Sequence, residues 1–333
     1  MSTYPPYTLN NNMVNKITSI VQKIEKIHYY THLDRFPQLR KENRINSIYS
    51  SLAIEGNSLS FDDVKKVIEW WTVLWKQKDI QEVKNAYKAY EMLECIDPFS
   101  INDLKKVHEV MTFLTIEDNW KFRNHWEGVY EWEKVIFMAP PHGLVPQLVQ
   151  QLFDWIVSAW ENVNPLIISS VFHYEFVFIH PFSDWNWRMA RYWNTLLLSK
   201  WEDIFTYLPI ETMIKKHQEK YYEAINICDH KWNSDLFIEF MLNMIDEELE
   251  SVIVDGPKMD IELWWDWLSK NELIIIEYIK NNWKVWAKEI IEGTSLADST
   301  TRRILKNLVK KKVLKTTSKI ENDPTNKYEL VGL

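Results

Sequence analysis

The chain has 333 residues, 26% of them charged, a formal net charge of −8 and two cysteines, Cys95 and Cys228. That length allows two or three domains with cores of their own, and two distant cysteines exclude a disulfide framework or a cysteine zinc cluster, leaving them as core or free thiols. No long apolar run occurs, and the N-terminal "MSTYPPYTLNNNMVNK" has neither a basic start nor an apolar stretch, so the sequence predicts a cytoplasmic protein without a membrane span or secretory signal.

In chain order, "MVNKITSIVQKIEKIHYY" has apolar residues at helical spacing, is interrupted around Pro37, and "RINSIYSSLAIE" continues as a second helix. Ser60 ahead of "FDDVKKVIE" and Ser100 ahead of "INDLKKVHEVMTFL" are side-chain caps for two further helices, with "KDIQEVKNAYKAYEMLECI" between them and a turn at Asp97-Pro98. The stretch 120–141 changes character: "GVYEWEKVIFMAPPHG" mixes β-branched and aromatic residues with turn signals and predicts a short β-hairpin. Helices resume with "LVPQLVQQLFDWIVSAW" and "PLIISSVFHYEFVFIH", then one from Arg188 to about Lys200, and two more that end near Val254.

Asp255-Gly256-Pro257 is the strongest boundary signal. Three helices follow, the last basic, and then strand-like pieces around Asp323-Pro324, an order that resembles a winged helix. The predicted organisation is an N-terminal helical region 1–98, a core 99–254 and a winged-helix domain 258–333. From Ser295 onward nine Lys/Arg stand against four Asp/Glu, so a basic tail follows an acidic body. There is no fixed-period repeat.

Glycine is scarce and tryptophan abundant, 6 against 18. Average usage would give roughly 23 glycines at this length. Many of the tryptophans stand where turn chemistry asks for glycine, as in "EDNWKFRNHWEGVYEWEKV" and "KNNWKVWAKE". UGA specifies glycine in some genetic codes and tryptophan in others, so a gene read with the wrong table would carry Trp only at its UGA-coded glycines.

The densest polar stretch is "HPFSDWNWRMAR", residues 180–191, which lies between a buried-looking helix and the start of the next. Backbone N–H groups at such a helix start favour phosphate. The stretch resembles the Fic-family signature His-x-Phe-x-(Asp/Glu)-Gly-Asn-Gly-Arg-x-x-Arg at His180, Phe182, Asp184, Asn186, Arg188 and Arg191, and departs from it only at the two glycines, here Trp185 and Trp187. The resemblance covers about residues 40–250. It implies a mainly α fold, a helical core with a hairpin flap, and transfer of AMP from ATP to a Ser, Thr or Tyr hydroxyl of a protein.

On that resemblance His180 is the general base and Asp184 holds Mg²⁺. Asn186, with the backbone at 185 and 187, receives the α-phosphate, Arg188 the β-phosphate and Arg191 the γ-phosphate. Phe182 faces the core. "KYYEAI" is similar to a segment near the adenine pocket, which places Tyr221 or Tyr222 there, and core packing is an equal reading. The hairpin 127–141, with Val135, Ile136 and Met138, is similar to the flap that holds a target by β-augmentation. "SSLAIEGN" matches the inhibitory motif (Ser/Thr)-x-x-x-Glu-(Gly/Asn) at Ser51, Glu55 and Gly56, which implies that Glu55 occupies Arg191 in cis.

Tryptophan at 185 and 187 would fill the nucleotide's space, because a backbone that cradles phosphate needs close approach and often positive φ. Three alternatives stay open. One is removal of AMP, with Glu55 helping to activate water. Another is an inactive Fic-like DNA-binding regulator with genuine tryptophans. The third is a metal hydrolase built on His173, His180 and Asp184, for which no second His/Asp cluster is present. The expected partners are ATP, Mg²⁺ and a protein substrate, the chain itself among the candidates, with no membrane. Weak DNA binding is expected through Arg302, Arg303, Lys306 and Lys310, and an interdomain or homodimer contact is the alternative for that surface.

Overall fold

The computed structural model describes residues 5–30, 37–116, 120–131, 134–254, 268–282, 284–310, 313–317 and 326–330. The described chain is mainly helical and divides into two compact units, the division falling near residue 254. The expected boundary at Asp255-Gly256-Pro257 lies outside the described residues, as does the turn at Asp323-Pro324.

The first unit runs through α1 (Asn11–Tyr30), α2 (Pro37–Ile54), α3 (Phe61–Ile68), α4 (Gln77–Glu91) and α5 (Ile101–Met111). Next come an antiparallel hairpin, β1 (Gly128–Glu131) with β2 (Lys134–Met138), and α6 (Val145–Ala159), α7 (Pro165–Ile179), α8 (Asn186–Trp201), α9 (Ile210–Lys216), α10 (Gln218–Lys231) and α11 (Asp235–Val254). The expected side-chain caps form: Ser60 Oγ accepts from the Asp63 N–H and Ser100 Oγ from the Asp103 N–H, each at 3.2 Å.

α7 is the axis of this unit. Asn164 caps it by accepting from the Leu166 N–H at 2.9 Å, and Pro165 opens it where a missing N–H does no harm. It is apolar on nearly every side, from Leu166 to Val177, and such a helix is stable only when surrounded. α8 and α6 pack against it, while α2 lies on α9 and α4. A single hydrophobic core runs from Met13 to Leu249, so the N-terminal helices share the core of the later ones. α1 is tied to α11 where Asp246 meets Lys16 at 2.9 Å, Lys23 at 2.8 Å and the Ser19 hydroxyl at 2.7 Å.

The second unit holds α12 (Lys270–Asn282), β3 (Val285–Trp286), α13 (Ala287–Thr294), α14 (Asp298–Lys310), β4 (Leu314–Thr316) and β5 (Lys327–Leu330). Its sheet is antiparallel in the order β3-β5-β4, and its core is separate, built from residues such as Ile275, Ile279, Ile290, Leu305, Leu308 and Leu330.

Helix ends in the first unit bear on the tryptophan question. α2 closes with two turn bonds, Gly56 N–H to Ala53 O at 3.1 Å and Asn57 N–H to Leu52 O at 3.1 Å, around Gly56 at φ +82°. That is a Schellman motif, whose left-handed residue is usually glycine. α3 closes the same way, Trp70 N–H to Val67 O at 3.2 Å and Trp71 N–H to Lys66 O at 2.9 Å, around Trp70 at φ +65°. Trp232, past the end of α10, has φ +56°, and Trp185 has φ +69°. Among the described residues six non-glycines adopt this conformation and three of them are tryptophan, so tryptophan occupies glycine geometry.

Candidate functional site

The signature loop joins α7 to α8. α7 ends on His180 in the left-handed conformation, φ +52°, and the His180 N–H bonds Phe176 O at 3.0 Å. This turns the chain out of the α7 direction into the loop 180–185 that leads to α8. The loop is closed by Asn186, whose carboxamide accepts from the Phe182 N–H at 2.9 Å and donates to the Phe182 carbonyl at 2.7 Å. Asn186 therefore holds the loop with both ends of its amide. Phe182 is fully buried and stacks on His108 at 3.7 Å between ring centres. His108 Nε2 also reaches the Asp184 carbonyl at 3.2 Å.

α8 begins at Asn186 with no side-chain cap, so first-turn N–H groups stay available at the positive end of the helix dipole. A cavity of about 460 Å³ opens there, lined by Glu55, Asn57, Glu82, His180, Asp184 and Arg188 among others. Asp184 is exposed, and its Oδ1 accepts the Trp185 N–H at 2.6 Å.

The His180 Nδ1 faces the Val177 carbonyl at 3.3 Å. A carbonyl can only accept, so the proton sits on Nδ1 and Nε2 carries the lone pair. Burial pushes the imidazole pKa down to about 4, against a smaller upward pull from the Val177 bond and from Asp184. The ring is thus a neutral acceptor near pH 7.

Arg191 is held by one turn of α2. Its Nε donates to Ser51 Oγ at 3.1 Å, its Nη2 to the Ser51 carbonyl at 3.0 Å, and its Nη1 lies 2.9 Å from Glu55 Oε1. Burial, the largest single influence, would lower its pKa, but Glu55 together with the Tyr221 and Tyr222 hydroxyls outweighs it and holds the guanidinium above its ordinary value. The four-residue spacing of Ser51 and Glu55 produces this fork, and the Gly56 turn makes Glu55 the last residue before the chain leaves the helix.

Tyr221 is fully buried and pairs its hydroxyl with His173 Nε2 at 2.7 Å. Tyr222 is half-exposed. The Trp187 ring packs edge-on against both, 5.6 Å from Tyr221 and 5.3 Å from Tyr222. The Trp185 ring, buried, lies under the Arg188 guanidinium at 4.1 Å. Of the hairpin residues, Met138 is exposed, and the side chains of Val135 and Ile136 lie outside what the structure describes.

Two arginine contacts carry no local sequence signal. Arg123 is buried, and it ties His180 to the foot of the hairpin: Nε donates to the His180 carbonyl and Nη2 to the Pro140 carbonyl, both at 2.6 Å, and Nη1 to His125 O at 2.9 Å. Arg188 pairs with Glu82 of α4 at 3.3 Å.

Residues 98–198 match the Fic/DOC family. A crystal structure of a Fic family protein from Desulfovibrio desulfuricans G20 is similar over 99% of this chain and 98% of its own, at 32% identity and a TM-score of 0.74. Fic-1 from Caenorhabditis elegans shares the fold over 74% of each chain, with a TM-score of 0.62 at 18% identity. Among curated relatives, the protein adenylyltransferase fic-1 of C. elegans is 23% identical over 231 residues, and a probable protein adenylyltransferase of Aquifex aeolicus is 30% identical over 149. The chain spans less than half the length of these two relatives, 43% of each. A full-length structural match at 32% identity, over a loop that bears the family's His-x-Phe-x-Asp and Arg-x-x-Arg residues, places the chain in the Fic family.

Proposed function

We propose that the protein is a Fic-type protein adenylyltransferase, held inactive in cis by Glu55. ATP would enter the cavity at the start of α8, with its α-phosphate on the free backbone N–H groups, its β-phosphate on Arg188 and its γ-phosphate on Arg191. A Ser, Thr or Tyr hydroxyl of the target would lie along the hairpin 127–141. His180 Nε2 takes the hydroxyl proton, the oxygen bonds to the α-phosphorus, and pyrophosphate leaves. The names of the curated relatives support this reading.

The observation that carries it is the engagement of Arg191, whose three donor nitrogens all face Ser51 and Glu55. A guanidinium so occupied cannot receive a phosphate with the same donors. Among the described residues no three His, Cys, Asp or Glu side chains gather as a metal-ligand set. Asp184 at the cavity edge fits a Mg²⁺ ion whose other ligands are phosphate oxygens and water, and the ion would neutralise phosphate charge.

The site requires glycine at 185 and 187. As tryptophans, these residues put one ring under Arg188 and another against the two tyrosines. The left-handed φ of Trp70, Trp185 and Trp232 supports glycine decoding, so we read UGA codons at these positions. UGG at codons 185 and 187 would instead favour an inactive Fic-like regulator. The direct test is labelling from ATP by the Trp185→Gly/Trp187→Gly chain: incorporation of AMP supports the transferase, and stripping of AMP from a modified target supports the reverse reaction.

For the second unit we propose a winged helix. The helix order and the sheet order β3-β5-β4 support it. On α14, Arg302, Arg303, Lys306 and Lys310 are exposed while Thr301, Ile304, Leu305 and Leu308 are buried, which leaves a basic face for weak DNA binding or for a homodimer contact.

A further inference from the structure

Arg188 has a carboxylate partner that the signature does not contain. Glu82, in the second turn of α4, is 5% exposed, and its Oε2 accepts from Arg188 Nη2 at 3.3 Å and from Asn57 Nδ2 at 3.0 Å. Asn57 in turn follows Gly56 directly, and the left-handed Gly56 turn swings it out of line with α2 and over α4, where its Nδ2 also bonds the Asp79 carbonyl at 3.2 Å.

We propose that Glu82 is a positioning residue for Arg188, set in place by Asn57, and that the chain just after Glu55 therefore governs both signature arginines: Glu55 occupies Arg191 and Asn57, through Glu82, aims Arg188 at the nucleotide's β-phosphate. The proposal rests on the adenylyltransferase reading for the identity of that phosphate.

Two roles for Glu82 must be separated, that of a competitor which the phosphate displaces and that of a support which stays. The relative costs decide. If Arg188 left Glu82 for a phosphate, a carboxylate as buried as this one would keep only an amide partner, and uncompensated buried charges are strongly destabilising. The cheaper arrangement keeps Nη2 on Glu82 and gives the phosphate other donors of the same fork, which is planar and can serve two acceptors at once. Glu82 lines the same cavity as Arg188, Asp184 and His180, so the supported guanidinium lies at the nucleotide's edge of the pocket. Without Glu82 the cation loses its fixed orientation, and the loss falls on ligands that carry a β-phosphate.

The test measures binding of ADP and AMP by calorimetry to the full chain carrying Trp185→Gly and Trp187→Gly, with no transfer step involved. Glu82→Gln, which keeps the size, is expected to weaken ADP about tenfold and to leave AMP unchanged, with Asn57→Ala following in the same direction to a smaller extent. In an Arg188→Ala background Glu82→Gln should have no further effect on the ADP to AMP ratio. Equal losses for both nucleotides would reduce Glu82 to a structural residue, and a gain in ADP affinity would make it a competitor; either overturns the proposal. If Arg188→Ala lowers ADP affinity while Glu82→Gln does not, the Glu82 proposal alone fails. If Arg188→Ala leaves the ratio untouched, the phosphate assignment fails and takes this proposal with it.

Discussion

The Glu55 carboxylate lies 2.9 Å from the Nη1 of Arg191, whose side chain is fully buried. A cation so enclosed is costly to bury without a partner, and the residue just past the end of α2 supplies one. Because the partner sits at the end of α2 and the arginine on α8, the proposed γ-phosphate site at Arg191 would open or close with the end of α2.

Removing that partner should activate the enzyme. With glycine at 185 and 187, Glu55→Gly is expected to raise AMP incorporation by about 10- to 100-fold, equivalent to ~1.4–2.7 kcal/mol, as the competing carboxylate leaves the Arg191 guanidinium. Glu55→Gln should do less, since it keeps size and some hydrogen bonding. Arg191→Ala should lower incorporation even in the Glu55→Gly chain. Labelled-AMP transfer by these four proteins over a range of ATP concentrations checks it, and no gain from Glu55→Gly at any concentration would return Glu55 to a plain helix-end residue.

His180→Ala should cost transfer about 10²- to 10⁴-fold, the usual contribution of a general base, while ATP binding is mostly kept. The pH dependence follows from the depressed imidazole. The active form is neutral, so activity is present above the folded pKa of about 4 and is lost as pH falls through it. Burial is the first cause of that depression, so opening the cavity with Trp185→Gly and Trp187→Gly should raise the pKa toward the ordinary value and move the acid limb upward. NMR titration of the His180 ring in both chains measures this. An identical pKa in the two would reject burial by the tryptophans as the cause.

The second unit is expected to bind duplex DNA weakly and with strong salt dependence. Four exposed basic side chains on α14 that each neutralise a phosphate would give a slope of log affinity against log salt of roughly −3 to −4. Arg303→Ala with Lys306→Ala should reduce that slope by about two. Absence of a mobility shift at low salt, together with a concentration-dependent mass in solution, would assign this face to a contact between copies of the chain.

What the sequence made legible was local. Ser60 and Ser100 cap the helices they precede, the hairpin forms where β-branched residues meet turn signals, and the residues of 180–191 share one loop because they are neighbours in the chain. The Ser51 and Glu55 pair could be read because a four-residue step shares a helix face. Arg123, His108 and Glu82 could not be, since their partners lie 57, 76 and 106 residues away, and one polar residue in a loop or an amphipathic helix looks like any solvated one. The place of Asn186 near the helix start is visible in the sequence, whereas its bonds back to Phe182 appear only once the loop is folded.

The left-handed tryptophans give a stability test that needs no activity. An L-residue in this conformation costs roughly 1–2 kcal/mol, and glycine gives part of that back as unfolded-state entropy. Trp70 and Trp232 are 81% and 73% exposed, so replacing them removes little buried surface. Trp70→Gly and Trp232→Gly should therefore each stabilise the fold, by about 0.5–1 kcal/mol, while Trp70→Ala and Trp232→Ala, which keep a β-carbon, should not. Trp185 has the same φ but is 3% exposed, so Trp185→Gly exchanges relief of strain for a lost aromatic contact and should lower stability while opening the cavity. Denaturant unfolding of the five variants separates the two effects. If the glycine and alanine replacements at 70 and 232 behave alike, backbone conformation is not what these positions select, and the structural case for glycine in place of tryptophan fails.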